Sequence, residues 1–273
     1  MTEASGTETP AIEFRGLGVQ FADGTHALRD IHLSVPRGQF CVVLGPSGAG
    51  KSTLLRTVNG LVASTVGHVE IAGTGLTPRT LRTLRPRMAM IHQQFNLVTR
   101  ATVAANVLSG ASPVVSTWRV LLQWYPKRFR EKACELIADV GLESKHLQRR
   151  VSALSGGQQQ RVGIARAFML DPIVMLADEP VASLDPRISR ETLELLKRES
   201  RQRQATVLCS LHQIDLAREF ADRIVALRQG AVAFDGPPTA FTDSVIDRVY
   251  GTDGTGRLTR VPGDNSSVRA AVA

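Results

Sequence analysis

The sequence predicts an α/β fold, in which a parallel sheet is covered by helices and a helical subdomain is inserted between its strands. Three observations support this class. Short extended segments fill residues 11–44, apolar residues at helical spacing fill about 100–165 without a convincing strand, and strands alternate with helices from Ile173 to Leu227. Such alternation is typical of a parallel sheet with helices on its faces.

The predicted elements follow one another between turn residues. Strands are expected at 12–19, 27–35, 40–44, 68–71, 173–177, 206–210 and 224–227, and helices at 188–200 and 214–220. In the inserted subdomain, Ala133, Leu136, Ile137 and Val140 share a helical face that ends at Gly141. We expect a flexible N-terminus at 1–10, one domain at 11–250 with its helical subdomain at about 95–165, and a disordered tail at 251–273.

Composition narrows the class of protein. The 273 residues, 43% of them hydrophobic, are enough for one globular unit with a substantial core. The first residues are polar and acidic, unlike a secretory signal, and no apolar run approaches the roughly 18 residues of a membrane-spanning helix. Cys41, Cys134 and Cys209 are interpreted as buried free thiols in a reducing compartment. The sequence therefore predicts a cytosolic protein, whose role at a membrane would depend on another chain.

The charge balance is basic. The net charge is +8, and the densest basic stretch contains Arg79, Arg82, Arg85 and Arg87. Stretches of this kind bind nucleic acid or lipid in some proteins, but a solvated helical face is the commoner case, and we expect it here.

A glycine-rich segment follows the predicted strand 40–44 directly. Its residues are Gly45, Pro46, Ser47, Gly48, Ala49, Gly50, Lys51 and Ser52, with Thr53 next in the helix that starts near Lys51. Glycines let backbone N–H groups curl around phosphates, and the helix N-terminus adds a partial positive charge. Lys51 is expected to reach the β and γ phosphates, and the Ser52 hydroxyl to ligate Mg²⁺.

Two carboxylates stand at the end of another apolar run. Residues 173–177 lead to Asp178 and Glu179, which places both at the sheet edge where ligands of α/β proteins bind. Asp178 is expected to hold Mg²⁺, and Glu179 to act as the general base for the attacking water.

A third motif precedes a helical stretch. Ser155, Gly156, Gly157 and Gln158 combine an N-capping hydroxyl with two bare glycine amides at a helix N-terminus, which predicts a second anion site. An N-cap alone requires the serine but not the residues after it.

Together these motifs resemble those of the ATP-binding subunits of ABC transporters, with residues 154–161 matching the signature of that family. The resemblance assigns roles to further positions. Gln93, or Gln94 if the register differs by one, matches the Q-loop glutamine that senses the γ phosphate and the metal; Asp185 matches the D-loop; His212 matches the switch histidine. Phe21 stands where the family stacks an aromatic ring on adenine, although a core position is an equal alternative.

The resemblance covers roughly residues 11–240 and implies a mechanism. It implies a P-loop α/β core with an antiparallel β edge, a helical subdomain that carries the signature, and ATP and Mg²⁺ as ligands. It also implies a head-to-tail homodimer, permease subunits in the membrane, an extracytoplasmic solute-binding protein that acts indirectly, and a position at the cytoplasmic face of the inner membrane. Nucleic acid is not expected, because the segment between the phosphate loop and the signature is too short for the coiled coil of chromosome-type members.

Several segments, mostly outside the catalytic set, resemble the phosphonate-import subgroup, notably residues 93–98, 177–186, 210–217 and 234–237. Phosphonates or related phosphorus oxyanions are therefore the expected cargo, with amino-acid import as the next alternative. Residues 93–100, with the insert to about Arg130, are expected to receive the membrane subunit. Exposed members of Trp118, Trp124 and Tyr125 would pack there, and the core of the helical lobe is the alternative place for them.

Overall fold

The computed structural model describes residues 9–93, 96–182 and 184–251. Residues 1–8 of the expected flexible terminus (1–10), residues 252–273 of the expected tail (251–273) and the alternative residue Gln94 lie outside these ranges. Among the described residues, no helix combines the length and the hydropathy that crossing a bilayer requires.

The described residues form ten strands in two sheets. The strands are β1 Ile12–Gln20, β2 His26–Val35, β3 Phe40–Leu44, β4 Val66–Ile71, β5 Thr74–Gly75, β6 Met88–Ile91, β7 Val174–Asp178, β8 Thr206–Ser210, β9 Arg223–Arg228 and β10 Ala231–Gly236. The first sheet is antiparallel, with order β2-β1-β4-β5. The second has order β10-β9-β3-β8-β7-β6 and is parallel except for β10, which pairs antiparallel with β9. The α/β fold with an antiparallel edge is therefore confirmed.

Nine α-helices accompany the strands in the described part of the chain. They are α1 Lys51–Val58, α2 Leu81–Leu84, α3 Val103–Leu108, α4 Thr117–Leu121, α5 Lys127–Asp139, α6 Gly156–Ala167, α7 Pro186–Gln202, α8 Ile214–Phe220 and α9 Asp243–Tyr250. Helices α3 to α6 occupy the stretch in which a helical insertion was predicted.

The central strand β3 is buried on both faces and separates two cores. Cys41 and Val43 face a core shared with β1, β2 and α1. Phe40, Val42 and Leu44 face a core shared with α5, α6, α7 and α8. An unbroken apolar run is what a strand covered on both faces requires, and it holds the loop that follows β3 between the two layers.

Some expectations need correction. Strands β6 and β10 and helix α9 were not among the predicted elements. Cys41 and Cys209 are buried as expected, and burial raises the pKa of the Cys41 thiol to about 12, but Cys134 is exposed on α5. The four arginines between residues 79 and 87 are exposed as predicted, yet the helix α2 that carries Arg82 is only four residues long.

Candidate nucleotide-binding site

The glycine-rich loop runs from the carboxyl end of β3 to the first turn of α1. Gly45 opens it with φ +144°, and a Cβ at this position would lie 2.3 Å from the carbonyl oxygen of Leu227. Only glycine fits so close to the neighbouring strand. The loop is therefore pressed against the end of β9 at its first residue.

Lys51 is turned back into the loop. Its Nζ donates to the carbonyl oxygens of Gly45 at 2.7 Å and Pro46 at 3.2 Å, and the residue is 5% exposed. Burial lowers the pKa of the ammonium group, while the charges of Glu179 and Asp178 oppose that shift. A lysine in this setting presents a dehydrated positive charge within the curve of the loop.

Asp178 ends β7 beside the end of β8. Its Oδ1 accepts hydrogen bonds from the hydroxyls of Ser52 and Ser210, each at 2.9 Å, and Arg56 Nη2 lies 4.0 Å from its Oδ2. Asp178 and Ser210 are partners in the parallel register of the two strands. Sequence reasoning predicted Ser52 and Asp178 but missed Ser210, whose only signal is its position at the end of a buried strand.

Glu179 adopts a left-handed backbone conformation, with φ +51°. Its backbone N–H donates to Ser210 Oγ at 3.0 Å, and its Oε1 lies 2.5 Å from His212 Nε2. A non-glycine residue in this region of φ and ψ costs about 1 kcal/mol or more, and such strain concentrates at functional sites. The strained turn directs the Glu179 carboxylate at His212, so these two predicted residues do meet.

The Ser52 and Asp178 oxygens suit a divalent metal. Mg²⁺ binds hard oxygen ligands and usually takes only one or two from the protein, the rest being water and phosphate. No group of three or more His, Cys, Asp or Glu side chains in the described residues could form a separate metal cage. The paired hydroxyl and carboxylate thus fit the predicted metal position.

Gln93 and Phe21 are both exposed. Gln93 follows β6, which pairs in parallel with β7, so it lies at the same sheet edge as Asp178. Phe21 follows β1 in a turn closed by its own backbone hydrogen bonds with Thr25 and Gly24, and 44% of its surface is exposed. The alternative expectation, that Phe21 is buried in a core, is therefore wrong. Its stacking on adenine stays a prediction.

The signature segment forms the N-terminus of α6. Ser155 Oγ accepts from the backbone N–H of Gln158 at 3.3 Å, and Gln158 Oε1 accepts from the backbone N–H of Ser155 at 3.1 Å. This reciprocal pair of hydrogen bonds is a capping box. Gln158 therefore takes part in the N-cap of α6, whereas the sequence led us to expect that the cap would require Ser155 alone. Gly156 and Gly157 are the first two residues of α6.

Asp185 caps a second helix, because its Oδ1 accepts from the backbone N–H groups of Arg187 and Ile188 at the start of α7. The cap is a structural role that the D-loop resemblance did not include. Its predicted contact with nucleotide is a separate matter and stays a prediction.

Tyr250 is a site residue that the sequence did not reveal. It is the last residue of α9, and its phenolic oxygen accepts the backbone N–H of Gly45 at 3.0 Å. Gly45 is thus held on both sides, by Tyr250 at its N–H and by Lys51 at its carbonyl oxygen. Arg228 anchors the same helix end by donating to the carbonyl oxygens of Arg248 and Gly251.

Comparison with known proteins agrees with this geometry. The profile of the ABC transporter family matches residues 28–182. The chain is 52% identical to the phosphonates import ATP-binding protein PhnC of Hydrogenovibrio crunogenus, over 84% of this chain and 85% of that protein. It is 49% identical to the protein of the same name from Hyphomonas neptunium, over 85% and 92% of the two chains.

Solved structures show the same fold. A dimeric, post-hydrolysis structure of the ATP-binding cassette MJ0796 bound to ADP and phosphate has a TM-score of 0.69 and 31% identity, covering 83% of this chain and 98% of that one. The structure of cbiO1 from Clostridium perfringens, part of an ABC transporter complex, has a TM-score of 0.77 and 26% identity over 88% of this chain and 94% of that one. The loop, the paired carboxylates, the signature segment and these likenesses have one explanation: the chain belongs to the ABC transporter family, as one of its ATP-hydrolysing subunits.

Proposed function

We propose that this chain is the ATPase of an importer for phosphonates or related phosphorus oxyanions. The cargo rests on the names of relatives at 42–52% identity over most of the chain. The ATPase role rests on one structural observation, the convergence of Lys51, Ser52, Asp178, Glu179 and His212 at the carboxyl edge of the parallel sheet. The carboxyl edge is where open α/β sheets bind their ligands.

Each residue of the candidate site has a separate role in the proposed hydrolysis of ATP. Lys51 leaves the loop carbonyls to meet the β and γ phosphates, which are stronger acceptors for its ammonium group. Ser52, Asp178 and Gln93, at the carboxyl edge of the sheet, are the residues that would hold Mg²⁺, and the ion would supply positive charge to offset that of the phosphates. Glu179 takes the proton of the attacking water, and His212, within hydrogen-bond distance, fixes the orientation of that carboxylate.

The signature segment acts on a second nucleotide. The hydrogen bonds of Ser155 and Gln158 within the described residues join these two to each other and not to the loop 45–53. In a head-to-tail homodimer, Ser155, Gly156, Gly157 and Gln158 would close over ATP held by the partner, with Asp185 at the interface. The dimeric state of the MJ0796 cassette supports this arrangement.

The remaining partners follow from the import function. Permease subunits in the membrane would contact the surface of residues 93–100 and the helical insert to about Arg130. A solute-binding protein outside the cell would deliver the cargo to them. The chain itself would lie at the cytoplasmic face of the membrane as a peripheral subunit. No nucleic acid takes part.

Growth tests the cargo. A deletion strain of the source organism, the same strain complemented with the wild-type gene, and a strain complemented with Glu179→Gln are compared with a phosphonate or with phosphate as sole phosphorus source. We expect the deletion and the Glu179→Gln complement to fail on phosphonate and to grow normally on phosphate. Unimpaired phosphonate uptake in the deletion, with no second importer to compensate, would remove the cargo and leave the ATPase assignment standing.

A further inference from the structure

The helical lobe, which comprises α3 to α6, is connected to the rest of the chain at two places. The chain enters the lobe after β6, which ends at Ile91, and leaves it before β7, which begins at Val174. A unit that is inserted through two connections can turn about the line that joins them. Because the signature segment begins α6, the orientation of the lobe determines where that segment can meet a second nucleotide.

Apolar packing holds the lobe against the parallel sheet and its helices. One cluster of buried residues includes Phe129 of the lobe and Leu193 of α7. Tyr125 is 4% exposed and belongs to the same cluster, which confirms the core as its place, whereas Trp118 and Trp124 are exposed. Apolar contact is not directional, so it attaches the lobe without fixing its orientation.

Arg203, the C-cap of α7, makes directional contacts with the lobe. Its guanidinium donates to Asp139 Oδ2 at 2.6 Å, at the end of α5, and to Asp171 Oδ1 at 3.4 Å, at the end of the helical turn that follows α6. The guanidinium carbon lies 5.6 Å from the ring centroid of Phe168, which is fully buried. Lys132 of α5 also pairs with Asp171. The chain is therefore held by both α5 and α7 at the point where it leaves the lobe.

A third carboxylate lies beside the same guanidinium. Glu199 of α7 is 1% exposed, and its Oε2 lies 3.5 Å from Arg203 Nη2. Within the described residues, neither Glu199 Oε2 nor Arg203 Nε makes a hydrogen bond, although both atoms are buried. A cluster that leaves a buried acceptor and a buried donor unpaired is poorly arranged for stability. The placement of Arg203 instead favours its contacts with the lobe.

These contacts lie far from the phosphate loop. Asp171 precedes β7 and Arg203 precedes β8, and the two strands are parallel. Both residues therefore lie at the amino edge of the sheet, opposite to the carboxyl edge at which the loop 45–52 is placed. An effect of Arg203 on the nucleotide would have to pass through the lobe.

We propose that Arg203 is a positioning residue for the signature segment, because it fixes the orientation of the lobe relative to α7. The inference rests on the proposed homodimer, in which the segment closes over ATP held by a second copy of the chain. A lobe that is already oriented loses less conformational freedom when the dimer closes. Loss of the Arg203 contacts should therefore weaken the dimer and leave nucleotide binding by the loop unchanged.

The orientation of the lobe is measured first, in the full-length chain without nucleotide. Cys134 is exposed on α5, and the other two cysteines are buried. Together with Ser34→Cys, on the exposed face of β2, it accepts a pair of spin labels whose separation is measured by electron–electron double resonance. We expect a narrow distribution of distances, which becomes broader after Asp139→Asn with Asp171→Asn. Both carboxylates are partly exposed, so this double variant leaves no buried charge without a partner.

Dimer formation is measured next, by light scattering with ATP in the Glu179→Gln background. Arg203→Met and the double asparagine variant should each raise the dissociation constant of the dimer by about tenfold, while the affinity for ADP stays unchanged. The two changes combined should have no larger effect than either alone, because they remove the same contacts. Arg203→Lys keeps the positive charge without the planar fork and should recover part of the dimer.

The matched control is Arg201→Met. Arg201 belongs to the same helix, but it pairs at 3.1 Å with Asp222, which lies outside the lobe. This variant should keep the narrow distribution of distances and the dissociation constant of the dimer.

Four results would overturn the proposal. They are an unchanged distribution in the double asparagine variant, additive effects of the two changes, an equal effect of Arg201→Met, and a loss of dimer that merely follows a lower melting temperature. The distance measurement requires neither ATP nor a second chain. A distribution that broadens as expected in a protein that forms no dimer would show that Arg203 orients the lobe and would remove the homodimer from the proposed function.

Discussion

At the scale of single residues, Ser210 explains how the site keeps its shape. Its hydroxyl donates to Asp178 and accepts the backbone N–H of Glu179. One buried side chain on β8 therefore holds the Asp178 carboxylate and the backbone of Glu179 at the end of β7. The left-handed turn at Glu179 persists because Ser210 and His212 hold the residue on two sides.

Lys51→Ala should lower ATP hydrolysis by about a hundredfold or more, because the phosphates lose a dehydrated positive charge that the loop is built around. Steady-state ATPase assays of the assembled complex measure this effect. Arg201→Ala, which removes an exposed charge on α7, is the control and should leave the rate unchanged. Normal activity in Lys51→Ala would show that residues 45–52 do not bind the phosphates.

At the scale of elements, the sequence was informative where a motif or a long pattern was contiguous. The loop 45–52, the carboxylate pair and the strands of the buried sheet were predicted because each is a local run of residues. Strand β6 was not, since its four residues Met88–Ile91 contain one β-branched side chain and follow an arginine-rich turn. Helix α9 carries two valines and an isoleucine, which favour strands, and its burial against the sheet overrides that preference.

Side-chain contacts between elements far apart in the chain could not be predicted from the sequence. Ser210 reaches Asp178 only through the pairing of β7 with β8, and Tyr250 reaches Gly45 across about 205 positions of the chain. No local pattern distinguishes these residues from any other serine or tyrosine. Knowledge of the strand order is required to identify them.

Tyr250→Phe should weaken nucleotide binding, because the buried N–H of Gly45 loses its acceptor, at a cost of about 1–3 kcal/mol. Nucleotide titration and thermal unfolding measure the two consequences. Val249→Ala is the matched variant, since it removes packing of the same helix and leaves the hydrogen bond in place. We expect the two variants to lower the melting temperature by similar amounts. Tyr250→Phe should nevertheless raise the dissociation constant for nucleotide more than Val249→Ala does. Equal shifts would mean that α9 contributes only stability.

At the scale of the whole molecule, the proposed mechanism requires two copies of the chain, because the signature segment of one would close over ATP held by the loop of the other. Glu179→Gln should keep the shape of the site and lose the base, so ATP stays bound and the closed dimer accumulates. Light scattering with and without ATP measures the dimer, and Glu194→Gln, on the exposed face of α7, is the control. A Glu179→Gln protein that is monomeric with ATP yet fully active would contradict both the base and the dimer.

The position of β3 between β8 and β9 also sets the order in which the chain can mature. Val43 pairs with Ser210 and with Val225, so both neighbours of the loop-bearing strand are synthesised roughly 170 positions after it. A nascent chain that has emerged only as far as α7 has neither neighbour of β3, and Gly45 has no strand β9 to pack against. The nascent chain should therefore gain the ability to bind ATP late in translation, once β9 has left the ribosome. ATP binding would then indicate that folding of the domain is complete.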